Sequence, residues 1–267
     1  MLKDITLGQY FPGDSVVHKL DPRTKLLMVV LYIVALFIAE SFVGYGIMIA
    51  VTAGFIGLSK VPPKSMFRGL KSVIFIIVLT AVLNVFYTDG TVLVQVWKLK
   101  ITYEGIVRAV FMVLRIVMLI CGTFLLTYTT APVALTDGME LLLNPLKKLK
   151  VPVHEMSMMM SMALRFIPTL IEETDKIMSA QKARGADFET GSLLDRAKAL
   201  LPILVPLFIS AFRRADELAI AMESRCYNGG AGRTRMKQLR YEGRDYVALT
   251  FGVLLIVAMI GLQVIGL

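Results

Sequence analysis

Two arginines with similar small neighbours stand 41 positions apart in the sequence, and they are suited to binding a partner. Ala183-Arg184-Gly185 and Ser224-Arg225-Cys226 each place an arginine between small side chains. A guanidinium forms paired, charge-assisted hydrogen bonds with a carboxylate, and small neighbours let a partner's backbone come close. The pattern therefore predicts that both arginines enter equivalent grooves of another protein. The alternative is that they are solvated residues at helix ends, where a cation is favoured without any partner.

The segments that lead to the two arginines have the same chemistry. Each is apolar in its first half, where it contains proline, and charged in its second half. A shift of 41 positions also lays Asp175 on Asp216. The apolar periodicity predicts two long helical arms, over residues 153–184 and 193–225. We interpret the arms as an internal repeat; the alternative is a chance likeness between two amphipathic helices.

Four charged residues occupy matching places in the arms. Under the same shift, Glu172 and Glu173 align with Arg213 and Arg214. Each pair lies about 17 Å from the arginine at the end of its arm. If the arms cross at equal depths, the acids of one arm meet the bases of the other. Otherwise all four are solvated, and exposed pairs of this kind contribute little.

Methionines are concentrated near the start of the first arm. Flexible thioethers suit a surface that repacks against several partners, although ordinary core packing is the alternative. The cluster is therefore predicted to be an interface for partner proteins, and its members are Met156, Met158, Met159, Met160 and Met162.

Two arginines interrupt the fourth apolar segment. Arg108 and Arg115 are seven positions apart and therefore share one face of a helix. Arg108 is predicted to extend its charge to the membrane boundary. A charge at the depth of Arg115 is costly unless it faces the bundle or a partner, so a structural pairing is predicted there.

The sequence offers little for catalysis. The two histidines, at 18 and 154, and the two cysteines, at 121 and 226, fit neither a metal site nor a disulfide framework. There is no GxxxxGK[ST] motif, so any use of ATP would take place in another chain. We predict a protein that is not an enzyme and that has no catalytic residues, cofactor or metal site.

Composition predicts an integral membrane protein. Hydrophobic residues make up 56% and the mean hydropathy is +0.70, against roughly 45–50% apolar residues in soluble domains. A bilayer core needs about 20 apolar residues per helix, and five segments approach this length: 26–39, 42–58, 73–87, 106–128 and 246–267. Residues 129–245 are too polar at intervals to span, and they begin with a short predicted helix over 131–150.

Charge predicts the orientation of these segments. The loop after the second segment carries Lys60, Lys64, Arg68 and Lys71 and no acid, which places it in the cytoplasm. The loop over 88–105 has no net charge and is placed outside. A multi-pass protein of the cell membrane follows, with its N-terminus and residues 129–245 in the cytoplasm and its C-terminus outside. The net charge of +9 then reflects basic cytoplasmic loops rather than binding to nucleic acid.

Three stretches together resemble a known family. HKLDPRTKLL (18–27), AQKARGADFETG (180–191) and LAIAMESRCYNGG (218–230) resemble, in order and spacing, the transmembrane T component of energy-coupling factor transporters. The resemblance covers essentially the whole chain. It implies that the protein joins two ABC-type ATPase subunits to a substrate-binding S component. The two arginine motifs would lie at the ends of crossed cytoplasmic coupling helices, and each would dock in one ATPase.

Carried to this chain, the resemblance assigns ATPase docking to both arginine motifs. Ala183, Arg184 and Gly185 match the first motif, whereas the second keeps its arginine but has Ser224 and Cys226 in place of alanine and glycine. It also implies an all-α integral membrane protein with about five transmembrane helices. A membrane domain (1–128) would be followed by a cytoplasmic domain of crossed coupling helices (129–245) and a final transmembrane helix (246–267).

The expected function is a coupling subunit for the ATP-driven uptake of vitamins or related micronutrients. Its partners would be the two ATPases, the S component and membrane lipid. The T component of a dedicated cobalt or nickel transporter is the alternative. A self-contained secondary transporter is less favoured, since the spans show no matched halves and no acidic or histidine relay.

Overall fold

Helices make up most of the described part of the chain. The computed structural model describes residues 10–96, 99–188, 192–229 and 238–265. Within these ranges the elements are, in chain order, α1 (Pro22–Ile38), α2 (Phe42–Ser59), α3 (Pro63–Tyr87), β1 (Val92–Val96), β2 (Leu99–Thr102), α4 (Tyr103–Thr129), α5 (Pro132–Leu143), a 3₁₀ helix (Asn144–Leu149), α6 (Val153–Ala183), α7 (Leu193–Ser224) and α8 (Gly243–Ile265).

Four of the described helices are long and apolar enough to cross a membrane, namely α2, α3, α4 and α8. Helix α1 has 17 residues, at the lower end of the range of about 17–25 that a span requires. The protein is therefore an all-α membrane protein, as predicted. The prediction of about five spans counts α1 together with these four helices.

Local sequence explains where several helices begin. Asp21 caps α1 by accepting a hydrogen bond from the backbone N–H of Arg23, and Pro22 occupies the first turn. Ser41 caps α2 and Thr102 caps α4 in the same way. These side chains satisfy backbone donors that the first turn of a helix leaves without partners.

The predicted loop between α3 and α4 contains a β-hairpin. β1 and β2 pair antiparallel, with Val96 opposite Leu99 and a bulge between Val92 and Val94. The short helix predicted over 131–150 also differs from the structure, because it divides into α5 and the 3₁₀ helix. Pro145 follows the end of α5, and its ring disfavours continuation of an α-helix.

The described residues form two compact units. One contains Glu140–Gln238; the other contains Gly8–Met139 and Leu239–Leu267. We call them the arm unit and the membrane unit. Parts of the segments on both sides of the arm unit pack at the start of α1 within the membrane unit. A Cβ on Gly138 would lie 3.0 Å from Pro22, and Asp245 binds Asp21.

In the membrane unit, α1, α2, α4 and α8 surround one apolar cluster. Its fully buried members include Leu36, Met48 and Met259. The Tyr32 hydroxyl joins three helices, since it lies 2.7 Å from Thr52 Oγ1 and donates to the Met118 carbonyl at 3.2 Å. Such interhelical hydrogen bonds add to van der Waals packing, which is the main attraction between helices in lipid. Helix α3, by contrast, exposes most of its large apolar side chains.

Buried charges join the ends of α1, α4 and α8. The Lys25 ammonium donates to the carbonyls of His18, at 3.1 Å, and Thr129, at 2.8 Å. Asp245 is 2% exposed and accepts from the backbone N–H groups of Asp21, at 2.9 Å, and Glu242, at 2.8 Å. We call Asp21, Lys25 and Asp245 the buried charge cluster. It connects segments that are more than 200 positions apart in the chain.

Asp245→Ala is expected to destabilise the membrane unit by about 2–4 kcal/mol, because one buried and one half-buried N–H donor lose their acceptor. The midpoint of thermal unfolding in detergent measures the effect. Asp14→Ala removes an exposed aspartate and should change the stability by less than about 0.5 kcal/mol. Equal unfolding midpoints for the two variants would show that Asp245 does not stabilise the membrane unit.

Candidate functional site: the arm tips and their crossing

The first arm ends in a defined turn that presents Arg184. The N–H of Gly185 donates to the Lys182 carbonyl at 3.0 Å, and the N–H of Ala186 donates to the Gln181 carbonyl at 3.0 Å. This is the hydrogen-bond pattern of a Schellman cap, in which the residue after the cap is left-handed. Gly185 has that conformation, with φ of 86°, and Arg184 is the cap residue.

The second arm ends in the same turn. The N–H of Cys226 donates to the Glu223 carbonyl at 2.8 Å, and the N–H of Tyr227 donates to the Met222 carbonyl at 3.0 Å. Cys226 takes the left-handed position, with φ of 55°, although its Cβ makes this conformation cost about 1–2 kcal/mol. Arg225 thus holds the position in α7 that Arg184 holds in α6.

Both arginine side chains are free to meet a partner. Arg184 and Arg225 are exposed, as are Ala183 and Ser224 beside them. The 41-position repeat therefore extends to the backbone hydrogen bonds and to exposure, which strengthens the case for a repeat over chance likeness. We call the turns around Arg184 and Arg225 the arm tips.

The arms contact each other through one of the predicted charge pairs. An Arg214 guanidinium nitrogen lies 2.6 Å from Glu173 Oε2, and both side chains are half-buried. Gln181 Nε2 also donates to the Pro202 carbonyl at 3.3 Å. The contacting residues follow each other in opposite order along α6 and α7, so the two helices are antiparallel here. The arm tips therefore lie on opposite sides of the crossing. Glu173 and Arg214 are each 11 residues from their tip, a length of about 17 Å.

The neighbouring charges do not join this contact. Arg213 pairs along its own helix with Glu217 at 3.3 Å, and both are largely exposed. Glu172 is exposed. The hydrogen bonds from Arg214 and then Ser210 lower the pKa of Glu173. The carboxylate therefore stays charged at pH values below the usual pKa of glutamate. The ion pair is lost only as the pH falls through the lowered pKa.

The predicted methionine cluster divides between two environments. Met158, Met159 and Met162 line an open groove of about 410 Å³ between α6 and α7, whose other wall includes Leu218 and Met222. Met156 and Met160 do not line the groove and are exposed, and Met159 is exposed as well. The groove belongs to the arm unit alone, and its lining is almost entirely apolar apart from Arg214.

The structure adds an apolar surface on α7 that the sequence analysis did not single out. It comprises Leu201, Val205, Phe208, Ile209 and Phe212, which are 55–70% exposed. Their spacing of three and four residues places them along one side of the helix. That spacing is visible in the sequence, but a helix that is apolar nearly all round is normally buried. The side chains show instead that this part of α7 is left for another protein or lipid to cover.

The described residues contain no group of three or more histidine, cysteine or acidic side chains placed to hold a metal ion. His154 Nδ1 lies 3.0 Å from Glu140 Oε1. His18 lies 2.6 Å from Ser15 Oγ and 2.9 Å from the Phe11 carbonyl. Both histidines are thus held by local contacts.

Cys226→Gly should strengthen the second arm tip by about 1 kcal/mol, since glycine adopts a positive φ without a steric penalty. The exchange of the Cys226 and Tyr227 amide hydrogens with solvent should then slow about five-fold. Gly185→Ala makes the opposite change at the first tip and should speed exchange by a similar factor. Faster exchange in Cys226→Gly would be incompatible with the cap described above.

Exchanging the charges of Glu173 and Arg214 should restore much of the stability that each single reversal removes. The expected coupling is about 0.5–1 kcal/mol for a half-buried pair, measured by amide exchange in α6 and α7 across the four variants. The same cycle on Glu172 and Arg213, one position away on each arm, should give a coupling near zero. Equal coupling in both cycles would show that the crossing does not depend on Glu173 and Arg214.

The chain is similar to known proteins over nearly its whole length. Residues 13–237 match the CbiQ family, described as cobalt transport protein. The energy-coupling factor transporter transmembrane protein EcfT of Clostridium kluyveri is 57% identical over 96% of both chains. The proteins of the same name from Thermosediminibacter oceani and Bacillus subtilis are 56% and 50% identical, over 97% and 92% of this chain and 98% and 93% of theirs.

Similarity at this level over nearly the full length, together with the two equivalent arm tips, leads to one conclusion: the chain belongs to the EcfT family, the transmembrane components of energy-coupling factor transporters.

Proposed function

We propose that this protein couples ATP hydrolysis in two ABC-type ATPase subunits to a substrate-binding S component that takes up a vitamin or related micronutrient. The chain itself binds no nucleotide and catalyses no reaction in this proposal. It receives motion at Arg184 and Arg225 and passes it to the membrane.

The equivalence of the two arm tips is the observation that carries the proposal. Each exposes an arginine at the cap of a long helix, with the same pair of backbone hydrogen bonds behind it. A fixed turn holds the first atoms of the side chain, so less freedom is lost when the guanidinium binds a carboxylate. Two such tips suit two copies of one groove, as a pair of similar ATPase subunits would offer.

The crossing supplies a route for the motion. A continuous helix of about 17 Å joins each tip to the contact between Glu173 and Arg214. A change in the separation of the two ATPase grooves would therefore change the angle at which the arms cross. Coupling of this kind needs an element with two arrangements that is biased at both ends, and the crossing is that element in our proposal.

The apolar surfaces of the arm unit support a second membrane partner. The groove is lined by the flexible thioether side chains of Met158, Met159 and Met162. The exposed side of α7 provides further apolar surface. We assign both to contact with the S component. The arms then lie at the cytoplasmic side, in keeping with the basic loop that starts at Lys60, and the N-terminus also lies in the cytoplasm.

A cobalt or nickel transporter is the second possibility, since the matching CbiQ family is described as cobalt transport protein. In that case the co-purifying membrane protein would carry a metal ion. Identification of that protein and its bound cargo after purification in mild detergent separates the two functions.

Arg184→Ala combined with Arg225→Ala is expected to abolish co-purification of the ATPase subunits. If each arginine pairs with a buried carboxylate, each loss costs on the order of 2–5 kcal/mol of association, or tens to thousands of fold in affinity. Pull-down of the ATPases with the tagged full chain measures the effect.

Lys182→Ala is the matched control, because Lys182 is an exposed cation two positions before Arg184. It should leave recovery of the ATPases unchanged. Full recovery with the double arginine variant would refute the docking role of the arm tips.

A further inference from the structure

A polar recess lies in the membrane unit, far from the arms in the chain. It has a volume of about 390 Å³ and is lined by Glu40, Tyr45, Asn84, Arg108, Phe111, Met112 and Arg115. This volume is within the range of small-ligand pockets, about 300–1,000 Å³. Its lining combines two guanidinium groups with one carboxylate, which gives it a net positive charge.

Arg115 is held in place at the bottom of the recess. It donates to the Ala39 carbonyl at 3.1 Å, and its guanidinium carbon lies 5.5 Å from the ring centre of Phe37 and 5.8 Å from that of Tyr45. Its Nε is buried and has no hydrogen-bond partner among the described residues. The structure thus orients the guanidinium but leaves part of its donor capacity unused.

Carboxylates give the arginines of the recess only partial charge compensation. Glu104, one turn before Arg108 on α4, is near enough for their charges to interact, but its oxygens accept hydrogen bonds from Thr91. Across the described ranges, no carboxylate lies within ion-pair distance of Arg108 or Arg115. Arg108 is exposed, and Glu40 on the opposite wall is exposed as well. A buried or half-buried charge in a membrane protein normally has a partner, so an anion from outside the chain is expected here.

Helix lengths place the recess at the level of lipid headgroups. Lys25 at the start of α1 binds Thr129 at the end of α4, and Arg115 binds Ala39 at the end of α1. Helix α4 therefore continues about 18 Å beyond the end of α1, from Arg115 to Tyr103. Arg108 is about 32 Å from Thr129 along α4, close to the thickness of the hydrocarbon core, about 30 Å.

The step between these helices gives a headgroup a path to Arg115. At the end of α1, α2 begins with Phe42, whose ring packs on Phe111 of α4 at 4.7 Å. The floor of the recess thus lies about 10 Å below the level of Arg108. Arg108 and Arg115 are two turns apart on one face of α4, and both line the recess.

We propose that this recess binds the phosphate group of an anionic phospholipid from the leaflet at the N-terminal end of α4. Arg108 contacts the phosphate at the membrane boundary, and Arg115 donates to it from below. Arginine is well matched to phosphate because its donors form paired, charge-assisted hydrogen bonds. The negative charge of Glu40 repels the bound phosphate and disfavours the binding of a second anion. The site is separate from the arm tips and does not depend on the proposed coupling function.

The test is native mass spectrometry of the full chain in detergent, titrated with phosphatidylglycerol. Arg108→Gln should weaken binding of the first lipid about five-fold, and addition of Arg115→Gln should bring the loss to at least about tenfold. Within the described ranges no hydrogen bond involves the Arg108 side chain, so the single variant is expected to fold even if the double variant does not. Glu40→Gln should tighten binding about two-fold or more, because it removes the repelling charge.

Arg68→Gln is the matched control for non-specific attraction. Arg68 is exposed and lies on α3 next to Gly69, which contacts Phe124 toward the other end of α4. This variant should bind the first phosphatidylglycerol as the parent does. Equal losses in Arg68→Gln and Arg108→Gln, or no loss in either, would overturn the proposal. It would also be overturned if Arg108→Gln kept its lipid affinity but lost a co-purifying membrane protein, since the recess would then be a protein-docking site.

Discussion

A lysine ammonium buried at the end of a helix bundle determines how the membrane unit closes. Lys25 is 6% exposed and needs acceptors, which come from His18 and from the last carbonyl of α4. The nearby carboxylates of Asp21 and Asp245 balance its charge, and Asp245 also satisfies backbone donors before α1 and α8. Because removing one member leaves an uncompensated polar group in an apolar setting, three helix ends must meet at one place. The register of α1 against α4 follows from this contact, and so does the step at the opposite end where Arg115 reaches Ala39.

The arm unit is built on a different principle. Its contact between Glu173 and Arg214 is half-exposed, and such pairs contribute modestly to stability. Many large apolar side chains along α6 and α7 remain exposed rather than packed between the two helices. A unit with little buried surface and firm helix caps is suited to change its crossing angle while each arm stays intact. The membrane unit holds its helices in fixed positions, whereas the arm unit is suited to a change in the angle between α6 and α7.

Local patterns were sufficient to predict the arms. The predicted ranges 153–184 and 193–225 each end one residue beyond α6 and α7, because apolar periodicity and the small residues after each arginine mark helix ends. The hairpin between α3 and α4 was missed, since two short strands carry a weak signal beside long apolar segments. The partner of Asp21 could not be foreseen either: Asp245 is 224 positions away, and no local rule connects them. The recess around Arg115 likewise depends on the relative lengths of α1 and α4, which only the packed helices reveal.

The contact between Glu173 and Arg214 has a geometric consequence. Its two residues are separated by 41 positions, the same offset that relates the arm tips, so each is the counterpart of the other. In a duplicated structure, a contact between counterparts lies on the local two-fold axis that relates the two halves. The helix ends have the same hydrogen bonds in both arms, yet the counterparts of Met159 and Met162 are Leu200 and Ile203. A partner present in two copies therefore meets two matching arm tips. A partner present in a single copy can distinguish α6, which carries the thioethers, from α7, which carries branched aliphatic side chains at the same places.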